Sequence, residues 1–183
     1  MIVIGITGTL GAGKGTLVDF LVKNKSFSHF SVRGYLQQEM MKRGLPDNRD
    51  SMTHLANELR AKNAPSYITD QLFLQAQKSG KNCIIESIRT PGEITSLKEK
   101  GAFYLFAVDA DPQLRFDRIK RRASATDHIS FETFLANEKR EMTSDDPNKQ
   151  NLMKCIEMAD YTFDNNGDIS QLEQQAEKVI AKL

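Results

Sequence analysis

Tryptophan is absent from the chain, and proline (5), cysteine (2) and histidine (3) are scarce. Two cysteines, Cys83 and Cys155, are too few for a disulfide framework. Together with His29, His54 and His128 they are too scattered for a finger-type zinc site. Neither sign of charge dominates: 25 Lys+Arg stand against 24 Asp+Glu, for a formal net charge of +1. That balance lacks the basic excess on which sequence-independent nucleic-acid binding depends. No run approaches the roughly 18 apolar residues of a membrane span, and no charged leader precedes a secretory-type apolar stretch. The expectation is a soluble, reduced, cytoplasmic protein with neither nucleic acid nor membrane among its partners. Internal repeats, low-complexity tracts and linkers are missing too. The 183 residues therefore read as a single domain, 1–183, with one real core.

What the chain does have is an alternation of short β-rich runs with longer helical stretches. That pattern predicts an α/β fold, a five-stranded parallel sheet with helices on both faces. Strands are expected at 2–7, 27–32, 83–86, 103–108 and 161–164. The first, Ile2-Val3-Ile4-Gly5-Ile6-Thr7, is almost continuously apolar, as a strand buried on both faces should be. Helices are expected at 34–42, 50–62 and 66–78, with Met52, Leu55 and Leu59 at helical spacing in the second. Thr90-Pro91-Gly92-Glu93 has the form of a capping box with Pro at the first helical position. Asp111-Pro112 opens a helix to Arg122, and Ser130 caps another that carries Phe131, Phe134 and Leu135. The last helix lines up Leu172, Ala176, Val179, Ile180 and Leu183.

Between the first strand and the first helix lies Gly8-Thr9-Leu10-Gly11-Ala12-Gly13-Lys14-Gly15-Thr16. A strand–loop–helix context is what a phosphate-binding loop requires. Glycines allow positive φ and close backbone approach, so several N–H groups can converge on a polyphosphate, and the helix N-terminus adds partial positive charge. Lys14 then reaches the β- and γ-phosphoryl oxygens. A dinucleotide loop fits poorly, because Gly11-x-Gly13-x-x-Thr16 lacks the third glycine and leaves the lysine without a role.

This stretch resembles the loop of the nucleoside monophosphate kinase group of P-loop kinases, G-x-x-G-x-G-K-G-T. The resemblance implies ATP as donor, Mg²⁺ as cofactor and nucleotides as substrates, with Gly8, Gly11, Ala12, Gly13, Lys14, Gly15 and Thr16 around the donor phosphates. Gly15 stands where the Ser or Thr that ligates Mg²⁺ usually follows the lysine, which displaces Thr16 by one. Glu86-Ser87-Ile88-Arg89 resembles the D-G-x-P-R stretch of adenylate kinases. By that resemblance Arg89 grips the acceptor phosphate and Glu86, with Thr16, serves Mg²⁺. Arg118 and Arg122, four apart on one helical face, resemble the R-x-x-x-R pair at the kinase lid, whose arginines clamp the moving phosphoryl group. The lid is expected at about 123–150, where Arg140 is a further cation, and the region binding the acceptor nucleotide at about 33–79. Within the latter, Ser31 to Leu36 matches the S-T-G-D-x-L stretch of the group poorly. Arg33, Arg49 and Arg60 are the cations in reach of the acceptor. Asn165-Asn166-Gly167 resembles a turn in dephospho-coenzyme A kinases, in which the Asn166 backbone would contact a donor adenine.

Three functions stay open on these residues. One is an ATP-dependent kinase for a nucleoside or deoxynucleoside monophosphate. The second is a dephospho-coenzyme A kinase, against which no aspartate stands in 31–35 to activate a ribose hydroxyl. The third is a non-catalytic module that senses deoxynucleotides. A similar P-loop portion precedes some deoxycytidylate deaminases, whose zinc motif is missing here. The absence of a His paired with a nucleophile suits a kinase of this kind, since a phosphate acceptor is already ionised at neutral pH.

Overall fold

The computed structural model describes residues 1–122 and 129–183, apart from the Arg122 side chain. The apolar first strand, β1 (Val3–Gly8), lies at the centre of a five-stranded sheet. β3 (Cys83–Glu86) and β4 (Phe103–Asp109) flank it, and β2 (Ser28–Ser31) and β5 (Tyr161–Asp164) form the edges. The order is β2-β3-β1-β4-β5, every pair parallel, with Val3 in register with both Cys83 and Phe103.

Alternation along each strand divides the core into two layers. Val3, Cys83, Ile85, Phe103 and Leu105 face one side. There they meet α2 (Val32–Lys42), α3 (Arg49–Lys62), α4 (Tyr67–Ser79), α5 (Pro91–Glu99) and α8 (Leu152–Glu157). Ile4, Ile6, Ile84, Phe106 and Val108 face the other, packed on α1 (Lys14–Lys25) and α9 (Ile169–Ile180). α6 (Pro112–Arg122) and α7 (Phe131–Met142) form a smaller third cluster around Phe116, Ile119 and Phe134.

The expected second strand, 27–32, is shorter in the structure. The Ser31 hydroxyl accepts the Gly34 N–H at 3.2 Å and makes Ser31 the N-cap of α2, so Val32 starts a helix instead of ending a strand. The expected capping box of α5 is present in both halves: Thr90 accepts from the Glu93 N–H, and the Glu93 carboxylate accepts from Thr90 N–H at 3.0 Å. Residues 123–128 of the expected lid, and the Arg122 side chain, lie outside the described residues. No described helix is long and apolar enough to cross a membrane.

Candidate active site

In a sheet of this order the connection from β1 runs toward the β2 edge and that from its neighbour β3 toward β4 on the other side, so a crevice opens at the carboxyl ends of the strands. The loop after β1 lines a cavity there of about 1000 Å³. Its shape is fixed from behind. Gly13 has φ 99°, and a Cβ on it would lie 2.0 Å from Asn165 Nδ2; Gly11 has φ 79° and would meet Arg115 O at 2.5 Å. Both are therefore held to glycine by conformation and by space. Asn165 Nδ2 donates to Ala12 O at 2.7 Å, and Arg115 donates to Leu10 O at 3.3 Å and to Ala110 O at 2.7 Å. Arg115 also pairs with Glu138 of α7. These contacts make Arg115 a brace for the loop rather than a cation in the cavity.

Lys14 begins α1, and its Nζ donates to Gly8 O at 2.9 Å and Thr9 O at 2.8 Å. Two of three ammonium donors are thus committed to the loop, and one is left for a ligand. Burial, followed by the nearby Arg89 guanidinium, lowers its pKa to about 7. An anionic phosphate favours the charged form, so binding above pH 7 should draw a proton from solvent. MgATP titrated calorimetrically at pH 8, in buffers of unlike ionisation enthalpy, should show close to one proton taken up. The uptake should shrink toward zero at pH 6, where Lys14 is already charged. Lys14→Met should remove the difference between the two pH values.

Around the same cavity stand Gly11, Gly13, Gly15 and Thr16, with Glu86 and Arg89 from the end of β3. Glu86 Oε2 lies 3.3 Å from His29 Nε2, and Ser87 Oγ approaches Glu86 Oε1 at 3.4 Å. Burial alone would raise the Glu86 carboxyl, but the His29 hydrogen bond and the Lys14 charge outweigh it and hold its pKa below the usual value. The ionised Glu86 carboxylate and Thr16 line the same cavity, and their hard oxygens suit Mg²⁺ completed by phosphate and water. Among the described residues no cluster of three or more His, Cys, Asp or Glu forms a site that could hold a metal without such help.

Arg33, Arg49, Arg60 and Arg118 also line the cavity, Arg118 near the loop through Asn165. Arg60 is 2% exposed, with Nε and Nη2 donating to Glu93 Oε1 at 3.2 and 2.9 Å. Arg49 and Arg89 both pair with Glu141 of α7, which is 5% exposed. Arg118 Nη2 donates to Asn165 O at 2.8 Å. Arg49 Nε, Arg60 Nη1 and Arg118 Nη1 are buried without a hydrogen-bond partner. The cavity wall also includes the apolar Val32, Leu36, Met52 and Ala56.

Not every expected residue reaches the cavity. Gly8 and Ala12 sit behind it and act through their carbonyls. Asn166 turns away: its Oδ1 accepts the Asp111 N–H at 2.7 Å, and it is Asn165 that meets the loop. Arg140 is exposed, 3.4 Å from Asp50, while its neighbour Glu141 points inward. Sequence reasoning missed Asn165, Glu93 and Glu141 as parts of the site. Glu141 did carry a signal, since it lies seven residues, two helical turns, after the buried Phe134.

The parallel sheet and glycine loop make this a P-loop protein of kinase-like fold. It belongs to the AAA domain family, matched over residues 4–144, from the first strand through α7. A protein of Methanococcus vannielii called UPF0200 protein is 26% identical over 186 residues, covering 100% of this chain and 97% of its own. Among solved structures, shikimate kinase from Bacteroides thetaiotaomicron is similar in fold, with TM-score 0.60 and 13% identity over 100% of this chain and 99% of that one. Dephospho-CoA kinase from Campylobacter jejuni has TM-score 0.52 and 15% identity, over 98% and 96% of the two chains.

Proposed function

We propose that the protein transfers the γ-phosphoryl group of ATP to a nucleoside or deoxynucleoside monophosphate. The observation that supports this reading is that one cavity is lined by the phosphate loop, by arginines with buried donors left unpaired, and by apolar side chains. The apolar wall of Val32, Leu36, Met52 and Ala56 suits a flat base. Of the acceptors named for the similar kinases, shikimate differs from it: it is a polyhydroxylated ring, which would call for hydrogen-bonding walls.

The loop amides and Lys14 would hold the donor phosphates, and Arg89, Arg49 and Arg60 the acceptor phosphate, so that attacking oxygen and γ-phosphorus approach in line. Arg118 stands near the loop, where charge on the transferring group needs compensation. Glu86 and Thr16 would hold Mg²⁺, which when bound offsets negative charge on the phosphoryl oxygens. No general base is needed, because the accepting phosphate oxygen is already anionic.

ATP consumption measured against every nucleoside and deoxynucleoside monophosphate, with dephospho-coenzyme A and shikimate beside them, tests the reading. Turnover with a monophosphate is expected; turnover only with dephospho-coenzyme A or shikimate would refute it. ATP binding with no turnover on any acceptor would leave a sensing module instead. Arg89→Ala should raise the acceptor KM about tenfold or more, the scale of one bidentate charge-assisted contact, with little change in the KM for ATP. Equal changes in both would return Arg89 to a structural role.

A further inference from the structure

Three of the guanidinium groups that line the cavity, Arg49, Arg60 and Arg89, are held from behind by carboxylates. Glu93 Oε1 takes two donors of Arg60, and Glu93 Oε2 accepts the backbone N–H of Arg89 at 2.7 Å. Glu141 divides its oxygens: Oε1 accepts Arg49 Nη2, and Oε2 accepts Arg89 Nη1 at 2.6 Å. Arg89 Nη1 also donates to Gln150 Oε1 at 2.9 Å, and its carbonyl accepts the Asn151 N–H at 2.9 Å. After these bonds are made, Arg49 Nε and Arg60 Nη1 remain buried without partners, and the Arg60 side chain is only 1% exposed. Orphaned charged donors in such a place are costly unless a ligand satisfies them. Three guanidinium groups against two carboxylates also leave one positive charge in excess.

We propose that Glu141 is a positioning residue for the acceptor site, its carboxylate gripping Arg49 and Arg89 together so that their remaining donors meet one phosphate. This rests on the reading of those arginines as the acceptor clamp. Arg49 arrives from α3 and Arg89 from the end of β3, and nothing local to either would fix their separation. A rigid carboxylate between two forked cations does so. Glu141 stays ionised: burial favours its neutral form, but Arg89 and Arg49 outweigh burial and lower its pKa. Its helix is anchored by Phe134 against Phe116, ring centroids 5.6 Å apart. Docking of α7 and assembly of the acceptor site are on this account one event. The rival role for the same contact is a carboxylate that occupies the phosphate's place and must be evicted.

The two roles predict opposite signs. Removing a negative charge beside an anion site should by charge alone tighten anion binding, whereas loss of positioning weakens it. Inorganic phosphate titrated into the full chain, followed on the Arg49 and Arg89 Nε–Hε resonances, serves as the probe, with Arg49→Lys and Arg89→Lys providing assignments. Glu141→Gln should bind phosphate about tenfold more weakly, the scale of one charge-assisted hydrogen bond. Glu141→Asp should recover part of the loss, and affinity for ATP should stay unchanged in both. If Glu141→Gln does not fold, the Asp variant, which keeps the charge but shortens the reach, carries the comparison against wild type. Binding as tight or tighter in the variants overturns the proposal in favour of a competing carboxylate. An equal loss for phosphate and ATP overturns it as general damage, and so does wild-type protein whose two arginine resonances ignore phosphate. Weakened phosphate binding without turnover of any monophosphate would keep the Glu141 role and refute the kinase reading. Turnover of a monophosphate with unchanged acceptor KM in Glu141→Gln would do the reverse.

Discussion

Lys14→Met is expected to lower kcat by at least about 10²-fold, the cost of deleting one well-placed electrostatic group at a site of developing charge. The protein should remain folded, because the lysine is a poor contributor to stability. Its pKa of about 7, against an ordinary 10.5, means that folding disfavours the ammonium. The sign follows from linkage: the penalty is full below pH 7, where folded and unfolded chains both carry the proton. It is relieved as pH rises from 7 toward 10.5, where only the unfolded chain keeps it. The Met variant should therefore gain most in relative Tm at acid pH. Thermal melts at pH 6 and 9, run beside the kinetic assay, check both halves. A variant that turns over normally would show that the loop is not where transfer occurs.

Glu93→Ala should have the largest effect on stability. The carboxylate is fully buried and serves four donors: Arg60 Nε and Nη2, and the backbone N–H groups of Arg89 and Thr90. Its loss leaves Arg60 as a buried, uncompensated cation and strips the capping box from α5. Breaking one side of such a pair costs about 3–5 kcal/mol, which for a chain of this size is a fall in Tm of about 10 °C. Replacing both partners, Arg60→Met with Glu93→Leu, should recover much of that, since apolar groups of like volume often substitute for a buried pair. The double variant would still lack the Arg60 donor, so its acceptor affinity should stay low. A melt within about 2 °C of wild type for Glu93→Ala would contradict the buried geometry.

Most of the fold was legible because its signals are local. The apolar run at 83–86, the capping box at Thr90 and the glycine loop each consist of neighbours in sequence, and each appears in the structure where expected. The second strand was overestimated because Ser31-Val32 reads as extended until the Ser31 side chain is seen to cap Gly34. The site was legible where chemistry is contiguous and obscure where it depends on which way a helix turns. Glu138, Arg140 and Glu141 look equally solvated in sequence. Rotation by one residue separates an exposed Arg140 from a buried Glu141. Asn165 and Asn166 differ in the same way: identical side chains, one inserted beneath the loop and the other capping Asp111. Arg60 was expected as a cation within reach of substrate, and its burial against Glu93 needed a partner 33 residues away.

The central place of β1 also bears on how the chain is made. During synthesis β1 has no hydrogen-bonded neighbour until Cys83 to Glu86 follow, and no second one until β4 begins at Phe103. Asn165, which holds the loop from beneath at Ala12, comes later still. Until those residues are made, the nascent chain carries Val3 to Ile6 unpaired and the loop without its support. The loop gains its support only once Asn165 is made, 153 residues beyond Ala12. Contacts this distant in sequence close slowly, so the apolar β1 segment is one that a chaperone would hold for long.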